Sequence, residues 1–167
     1  MILIIGYLLG SIPCGLLVAL GVKGIDPRRS GSGNIGATNV LRTAGKKEGL
    51  LTLLGDLGKG YLAVFLALKF AQGGEVWVLA AGLSAVLGHL YSIFLRFRGG
   101  KGVATSLGVL LAIHPAVALA TFGLWAAGFL TSKISSVGAL IAFGMLPLTV
   151  ALLQGAGYFL LFSVVVT

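Results

Sequence analysis

Long stretches without a charged side chain constrain the fold of this sequence more than any other feature. Residues 1–22, 76–95 and 102–130 each lack Asp, Glu, Lys and Arg. A helix needs roughly 20 apolar residues to cross the hydrocarbon core of a bilayer. Charged residues make up only 10% of the chain, whereas water-soluble domains contain about 25%. The sequence therefore predicts an all-α, polytopic membrane helix bundle and excludes a disordered chain or a water-soluble enzyme.

We predict seven transmembrane segments in a single integral membrane domain over residues 1–167. The apolar stretches are 1–22, 50–70, 76–95, 102–130, 134–153 and 156–167. His114 and Pro115 divide the stretch 102–130 into two segments, because proline disfavours a continuous helix. The last segment is incomplete, since its twelve residues reach only about 18 Å as a helix.

The distribution of basic residues predicts the orientation of these segments. Nine of the twelve Lys and Arg residues lie in two loops, six in residues 23–48 and three in residues 96–101. Such residues are enriched in cytoplasmic loops, and two helices separate the loops. Both loops are therefore expected in the cytoplasm, with the N-terminus outside and, after seven segments, the C-terminus inside. The net charge of +8 then marks this face, or an anionic ligand, rather than nucleic acid.

The first polar loop has the composition of an anion site. Residues 30–39 read Ser-Gly-Ser-Gly-Asn-Ile-Gly-Ala-Thr-Asn, and Arg42 follows. Turns of small residues expose backbone N–H groups to anions, and a planar guanidinium suits phosphate. The same composition fits a flexible connecting loop with anchor charges, so the loop alone leaves both interpretations open.

The second loop, residues 96–102, reads Arg-Phe-Arg-Gly-Gly-Lys-Gly. Its glycines would let the backbone approach a ligand, and a helix beginning near Gly102 would add free N–H groups at the same place. We interpret Lys101 as a residue that binds a ligand. We interpret Arg96 and Arg98 as charges that anchor a helix end at the membrane surface.

The apolar segments also contain titratable residues, of which Asp56, Lys59 and His89 are candidates for a role in the protein. Asp56 and Lys59 are three positions apart, which places them on one helix face, where they can neutralise each other. A structural ion pair is our first interpretation of them, with a functional role as the alternative. His89 lies six residues before the second loop and is either a proton acceptor or a hydrogen-bonded packing residue.

Both loops resemble motifs of the bacterial acyl-phosphate:glycerol-3-phosphate acyltransferases. Residues 30–39 with Arg42 look like the first motif of that family, and Gly88-His89 with residues 97–105 look like the second. Leu-Gly-Ser-Ile-Pro at 9–13 and Asp-Leu-Gly-Lys-Gly at 56–60 are similar to further family segments. The resemblance extends from about residue 8 to residue 136.

The resemblance implies transfer of a fatty acyl group from acyl phosphate to the 1-hydroxyl of glycerol 3-phosphate, at the cytoplasmic face of the bacterial inner membrane. We expect no cofactor, no metal ion and a monomer in membrane lipid. We expect catalytic roles for Ser32, Arg42, Lys101 and His89. We expect the substrates to be bound by Gly31, Gly33, Asn34, Thr38, Asn39, Gly99, Gly100, Gly102, Thr105 and Ser136. The alternative function is a small membrane anion transporter.

The sequence departs from the family pattern at three places. Ser92 stands where the second motif usually has proline, and Ala139 stands where a third motif has its second serine. The family ends with a basic cytoplasmic tail, whereas this sequence stops at Thr167 in an apolar run. We therefore expect either a truncated form or a site that is completed differently.

Overall fold

The computed structural model describes residues 1–70, 74–154 and 157–166, and ten α-helices lie within these ranges. They are α1 (Ile2–Ser11), α2 (Cys14–Lys23), α3 (Ala37–Thr43), α4 (Lys46–Phe70), α5 (Glu75–Leu90), α6 (Val103–Ile113), α7 (Pro115–Ser132), α8 (Ser135–Gly144), α9 (Leu146–Gln154) and α10 (Tyr158–Val166). Short 3-10 helices cover Pro27–Arg29 and Ile93–Leu95. The predicted all-α class is confirmed.

Four helical stretches are long and apolar enough to cross a membrane: Ile2–Lys23, Lys46–Phe70, Glu75–Leu95 and Pro115–Ser132. A fifth span is possible if α8 and α9 count together, although the two are bent by 43°. Helix α6 is shorter, and α10 has nine residues. A membrane protein is therefore confirmed for the described residues, while seven crossings stay a prediction.

The centre of the bundle is built from helices that meet through glycine. Helix α1 packs along α5, where a Cβ atom at Gly10 would overlap the Ala85 backbone and one at Gly88 would overlap the Tyr7 carbonyl. Helix α4 packs along α6 in the same way, through Gly60 and Gly108. Small residues let membrane helices approach closely, so that dispersion replaces the hydrophobic effect as the source of association.

The first apolar stretch counts as one span, as predicted, but it is not the continuous helix that the sequence led us to expect. Helix α1 ends at Ser11 and α2 begins at Cys14, because Pro13 has no N–H and disfavours a helical residue before it. The interrupted backbone is stabilised by side chains from distant helices. The Ser92 hydroxyl donates to the Ser11 carbonyl at 2.5 Å, and the Lys59 ammonium donates to the Ile12 carbonyl at 2.8 Å.

Ser92 therefore has a structural role, and we predict that Ser92→Ala destabilises the protein. Ser92 is 1% exposed, and its loss would leave a buried carbonyl without this donor, at about 1–3 kcal/mol. The thermal midpoint in detergent should fall. Ser84→Ala on the preceding helix α5 is the matched control, because Ser84 donates only to Ala80 of its own helix. Equal midpoints for the two variants would contradict the assigned role.

Candidate active site

Asn39 organises the first loop from the inside. Its side-chain N–H₂ donates to the carbonyls of Pro27, Ser30 and Asn34 at 2.8–3.1 Å. Its side-chain oxygen accepts from the Ser32 backbone N–H at 2.9 Å. Asn39 is 3% exposed. The amide, which the sequence predicted to bind substrate, is thus occupied by the loop that it holds.

The glycines of this loop allow the backbone to turn tightly around Asn39. Gly31 has a φ of +61°, and a Cβ atom there would overlap the side-chain oxygen of Asn39. Gly33 has a φ of +71°, and the Asn34 side chain accepts from the Gly36 N–H at 2.8 Å. Side chains rarely adopt positive φ. The result is a tight turn that leaves the Ser32 side chain exposed.

An ion pair sets the beginning of the loop. The Arg28 guanidinium binds both oxygens of Asp26, with contacts from 2.7 to 3.2 Å. These hydrogen bonds lower the pKa of Asp26 to about 2, so the carboxylate is ionised throughout the neutral range. Arg28 is thereby neutralised locally. By contrast, Arg42 is exposed on α3, and no described residue forms an ion pair with it.

The second loop ends where α6 begins, as predicted. Gly102 precedes the helix with a φ of +82°, which glycine adopts without strain. The N–H groups at the start of α6 therefore follow directly on Lys101. Arg96 and Phe97 have φ values of 53° and 63°, and such left-handed residues cost about 1–3 kcal/mol each. A hydrogen bond from the Phe97 N–H to the Ser92 carbonyl, at 2.8 Å, stabilises this turn.

The two loops meet at one end of the bundle. One buried apolar cluster contains Leu16 of α2, Ile35 of the first loop and Leu95, the residue directly before the second loop. Polar contacts to two consecutive serines at the start of α8 give a second link. Thr38 lies 3.3 Å from the hydroxyl of Ser135, and Lys101 donates to the hydroxyl of Ser136 at 2.7 Å. Both loops are thus on the same side of the bundle, as the sequence predicted.

The predicted site residues fall into three groups by exposure. Ser32, Arg42, Lys101, Thr38, Gly31 and Gly33 are exposed at this end of the bundle. Asn34, Gly99, Gly100 and Ser136 are half-buried. Asn39, His89, Gly102 and Thr105 are buried. Thr105 packs against Gly60 at the α4–α6 contact, so its side chain belongs to the helix interface. Among the described residues, no group of three or more His, Cys, Asp or Glu side chains could hold a metal ion.

His89 and the intramembrane charges form one buried cluster. Asp56 and Lys59 make the expected ion pair at 2.9 Å. The His89 Nδ1 atom lies 3.5 Å from the same Asp56 oxygen. The other ring nitrogen faces Gly100, where a Cβ atom would overlap it. His89 is therefore enclosed between α4 and the second loop.

Three residues that build the site were given no role by the motif reasoning. Ser135 was not singled out, although it directly precedes Ser136 in the sequence. Ile35 and Leu95 hold the loops together through apolar contact, and a single apolar residue in a polar loop gives the only sequence signal for such a role. Their spatial meeting depends on how α2, α4 and α5 pack, which loop composition does not indicate.

Known proteins are similar to this chain over its whole length. The family model described as glycerol-3-phosphate acyltransferase matches residues 1–167. A glycerol-3-phosphate acyltransferase of Geotalea daltonii is 48% identical over 166 residues, which cover 99% of this chain and 84% of that protein. One from a Synechococcus species is 52% identical over 158 residues, covering 95% and 77%.

Two solved structures have the same fold. Both are crystal structures of PlsY, an integral membrane glycerol 3-phosphate acyltransferase, one in the glycerol 3-phosphate form and one in the lysophosphatidic acid form. The TM-scores are 0.91 and 0.89, with 40% and 39% identity. Each match covers 99% of this chain and 82% of the other. With its two glycine-rich loops joined at the start of α8, the chain belongs to the glycerol-3-phosphate acyltransferase family.

Proposed function

We propose that this protein transfers a fatty acyl group from acyl phosphate to the 1-hydroxyl of sn-glycerol 3-phosphate. The products are 1-acyl-sn-glycerol 3-phosphate, that is lysophosphatidic acid, and inorganic phosphate. The observation that carries the proposal is the meeting of both cationic loops at the serines that begin α8. Relatives named for glycerol-3-phosphate acylation, and a similar structure in a glycerol 3-phosphate form, support the acceptor.

The first loop supplies the site for glycerol 3-phosphate in this proposal. Thr38 and Arg42 are one helical turn apart on α3, so they share a face, and Thr38 already reaches α8. Arg42 offers a planar fork to the phosphate. Ser32 adds an exposed hydroxyl from a turn that Asn39 holds in place.

The second loop supplies the site for the acyl phosphate. Lys101 lies two residues before α6, whose first N–H groups are free, and its ammonium donates to Ser136 at 2.7 Å. Gly99 and Gly100 let the loop lie directly against His89, which a Cβ atom at either position would overlap. Fixed positive charge at the leaving phosphate stabilises the negative charge that grows as the acyl–oxygen bond breaks. The acyl chain lies among apolar helices or in lipid.

The proton of the acceptor hydroxyl goes to the departing phosphate. The hydroxyl oxygen attacks the acyl carbon, the carbon–oxygen bond to phosphate breaks, and a phosphate oxygen takes the proton. No Asp or Glu lies in residues 30–42 or 96–105, and the acyl phosphate is already activated. The main contribution of the protein is then to hold two phosphorylated molecules side by side, which removes much entropic cost.

We also propose that this end of the bundle faces the cytoplasm of a bacterial cell whose inner membrane holds the protein as a monomer. Ten of the twelve basic residues lie in residues 23–48, in residues 96–101 or at Lys133. Lys133 lies two residues before the start of α8, whose first residues contact both loops. The positive-inside rule assigns such an end to the cytoplasm. Seven segments and an external N-terminus agree with this orientation.

A single assay tests the proposed reaction. Purified protein in detergent, given palmitoyl phosphate and glycerol 3-phosphate, should release inorganic phosphate and lysophosphatidic acid in equal amounts. Heat-denatured protein is the control, because acyl phosphates hydrolyse slowly. A transporter would show no transacylation in detergent and would instead move phosphate into sealed vesicles. That pattern would replace the proposed function.

A further inference from the structure

We propose that Lys59, Asp56 and His89 form a buried chain that positions the Gly100–Lys101 segment for the reaction proposed above. His89 is then a positioning residue and takes no proton from substrate. The chain connects the break between α1 and α2 to the second loop through three side chains that the transfer reaction itself does not use. The inference rests on the proposed function, because Lys101 is assigned there to the acyl phosphate.

The chain begins at the interrupted helix. Lys59 donates to the Ile12 carbonyl at 2.8 Å, next to Pro13. The contact spans 47 positions in the sequence and ties α4 to the junction of α1 and α2. An ammonium group held against a helix end in this way is well placed, because free carbonyls at helix C-termini attract cations.

Asp56 carries the chain across to α5. One of its oxygens lies 2.9 Å from the Lys59 ammonium and 3.5 Å from His89 Nδ1. All three side chains are at most 4% exposed. Removing one member of a buried charge pair leaves the other uncompensated, which costs several kcal/mol. The group is therefore fixed as a unit, and Asp56 sets the orientation of the His89 ring.

His89 supports the second loop from below. The Gly100 N–H donates to the His89 carbonyl at 3.0 Å, and the Gly99 N–H donates to the Leu90 carbonyl at 2.9 Å. The ring lies so close to Gly100 that any added Cβ atom would overlap it. Lys101 is the next residue. The position of the ring therefore fixes where the Lys101 backbone lies, and with it the position from which the Lys101 side chain reaches Ser136.

This enclosure also argues against proton transfer at His89. A general base must come within hydrogen-bond reach of the proton that it abstracts. One ring nitrogen of His89 faces Asp56, and the other lies against Gly100. The exposed residues Ser32, Arg42 and Lys101 are where a substrate can bind. The remaining role for the ring is to hold the loop.

The test compares His89→Ala with His89→Gln. Glutamine has a similar reach and can fill the space below Gly100 and donate to Asp56, but it is not a base. A misplacement of about 1 Å near reacting groups costs about 10²-fold in rate. We expect a loss of this order in His89→Ala and recovery to within about tenfold in His89→Gln, with the same pH profile for all active forms. Thr121→Ala, another buried polar substitution, on α7, should leave the rate unchanged.

Binding of inorganic phosphate, measured by calorimetry, gives a readout independent of turnover. We expect the dissociation constant to rise about tenfold in His89→Ala and to recover in His89→Gln. Asp56→Leu leaves Lys59 unpaired and can prevent folding, so the double variant Asp56→Leu/Lys59→Met is measured beside it. The double variant should fold and should bind phosphate more weakly than the wild-type protein.

Three outcomes separate the proposals. If His89→Gln is as inactive as His89→Ala and the pH profile loses a limb, His89 is a base and the positioning role is wrong. If wild-type rates and phosphate affinity persist in His89→Ala, the positioning role is also wrong while the acyltransferase function stands. If the wild-type protein forms no lysophosphatidic acid but phosphate affinity still depends on His89, the proposed reaction fails and the positioning role stands.

Discussion

Lys101→Ala is expected to lower transferase turnover by about 10²- to 10³-fold, the usual cost of removing one preorganised donor from a developing negative charge. The ammonium lies at the start of α6 and is oriented by Ser136 at 2.7 Å. Its loss leaves the departing phosphate with only helix N–H groups as partners. The fall should appear mainly in kcat, measured as phosphate release with saturating palmitoyl phosphate in detergent.

Arg98→Ala is the matched control for Lys101. Arg98 is an exposed cation in the same loop, three positions earlier, and its side chain has no hydrogen bond or ion pair with the described residues. Its replacement should leave more than half of the turnover. If both variants lose activity equally, general positive charge at the membrane surface matters rather than a placed ammonium. If neither loses activity, the assignment of the donor site is wrong.

Arg42→Ala should produce a comparable loss, but with a different kinetic signature. Arg42 is proposed to bind the phosphate of the acceptor, which is held in the ground state and in the transition state alike. Truncation of a bidentate charged contact to phosphate is therefore expected to raise the KM for glycerol 3-phosphate, with an overall loss of about 10²-fold or more in kcat/KM. Initial rates across a range of glycerol 3-phosphate concentrations separate the two constants.

Two further variants sharpen this experiment. Arg42→Lys keeps the charge without the planar fork, and we expect it to recover only part of the loss. Arg29→Ala removes an 87% exposed arginine from the same polar region and should remain close to wild type. A normal KM in Arg42→Ala, with the protein folded, would remove α3 from the acceptor site.

Much of the fold follows from apolar patterning alone. The predicted stretch 50–70 corresponds to α4, the stretch 76–95 to α5 with its 3-10 turn, and the turn at His114 to the junction of α6 and α7. An apolar run in lipid forms an α-helix, because only a helix satisfies all its backbone hydrogen bonds within the segment. Charged residues and proline interrupt such runs, so these helix boundaries can be read from the sequence. Where a helix ends at such a residue, local sequence decides the structure.

The breaks within apolar runs were harder to predict. The run 1–22 contains Pro13, which marks the break, but the stability of that break depends on Lys59 and Ser92 from other helices. The run 134–153 is bent by 43° between α8 and α9, with Gly144 before the junction residue Met145 and Pro147 two residues after it. Proline thus lies near both breaks, but the sequence pattern does not indicate the contacts from distant helices that stabilise the first one.

The site was predicted in its chemistry and only partly in its geometry. The composition of the loops indicated phosphate, and the structure brings the loops together. The role of Asn39 was different from the expectation, since its amide is fully used by the backbone of its own loop. A sequence motif does not distinguish a side chain that binds ligand from one that holds a turn. The hydrogen bonds of Asn39 in the structure make that distinction.

The glycine contacts between α1 and α5, and between α4 and α6, divide the chain sharply in its tolerance to change. At Gly10 and Gly108 even one methyl group meets the main chain of the opposite helix, and no rotamer adjustment can make room for it. Outward-facing leucines such as Leu140 and Leu152, at 76% and 77% exposure, meet no such neighbour. Saturation mutagenesis should therefore show that substitutions are not tolerated at the glycines along these two helix contacts. The surrounding outward-facing positions should accept almost any apolar side chain.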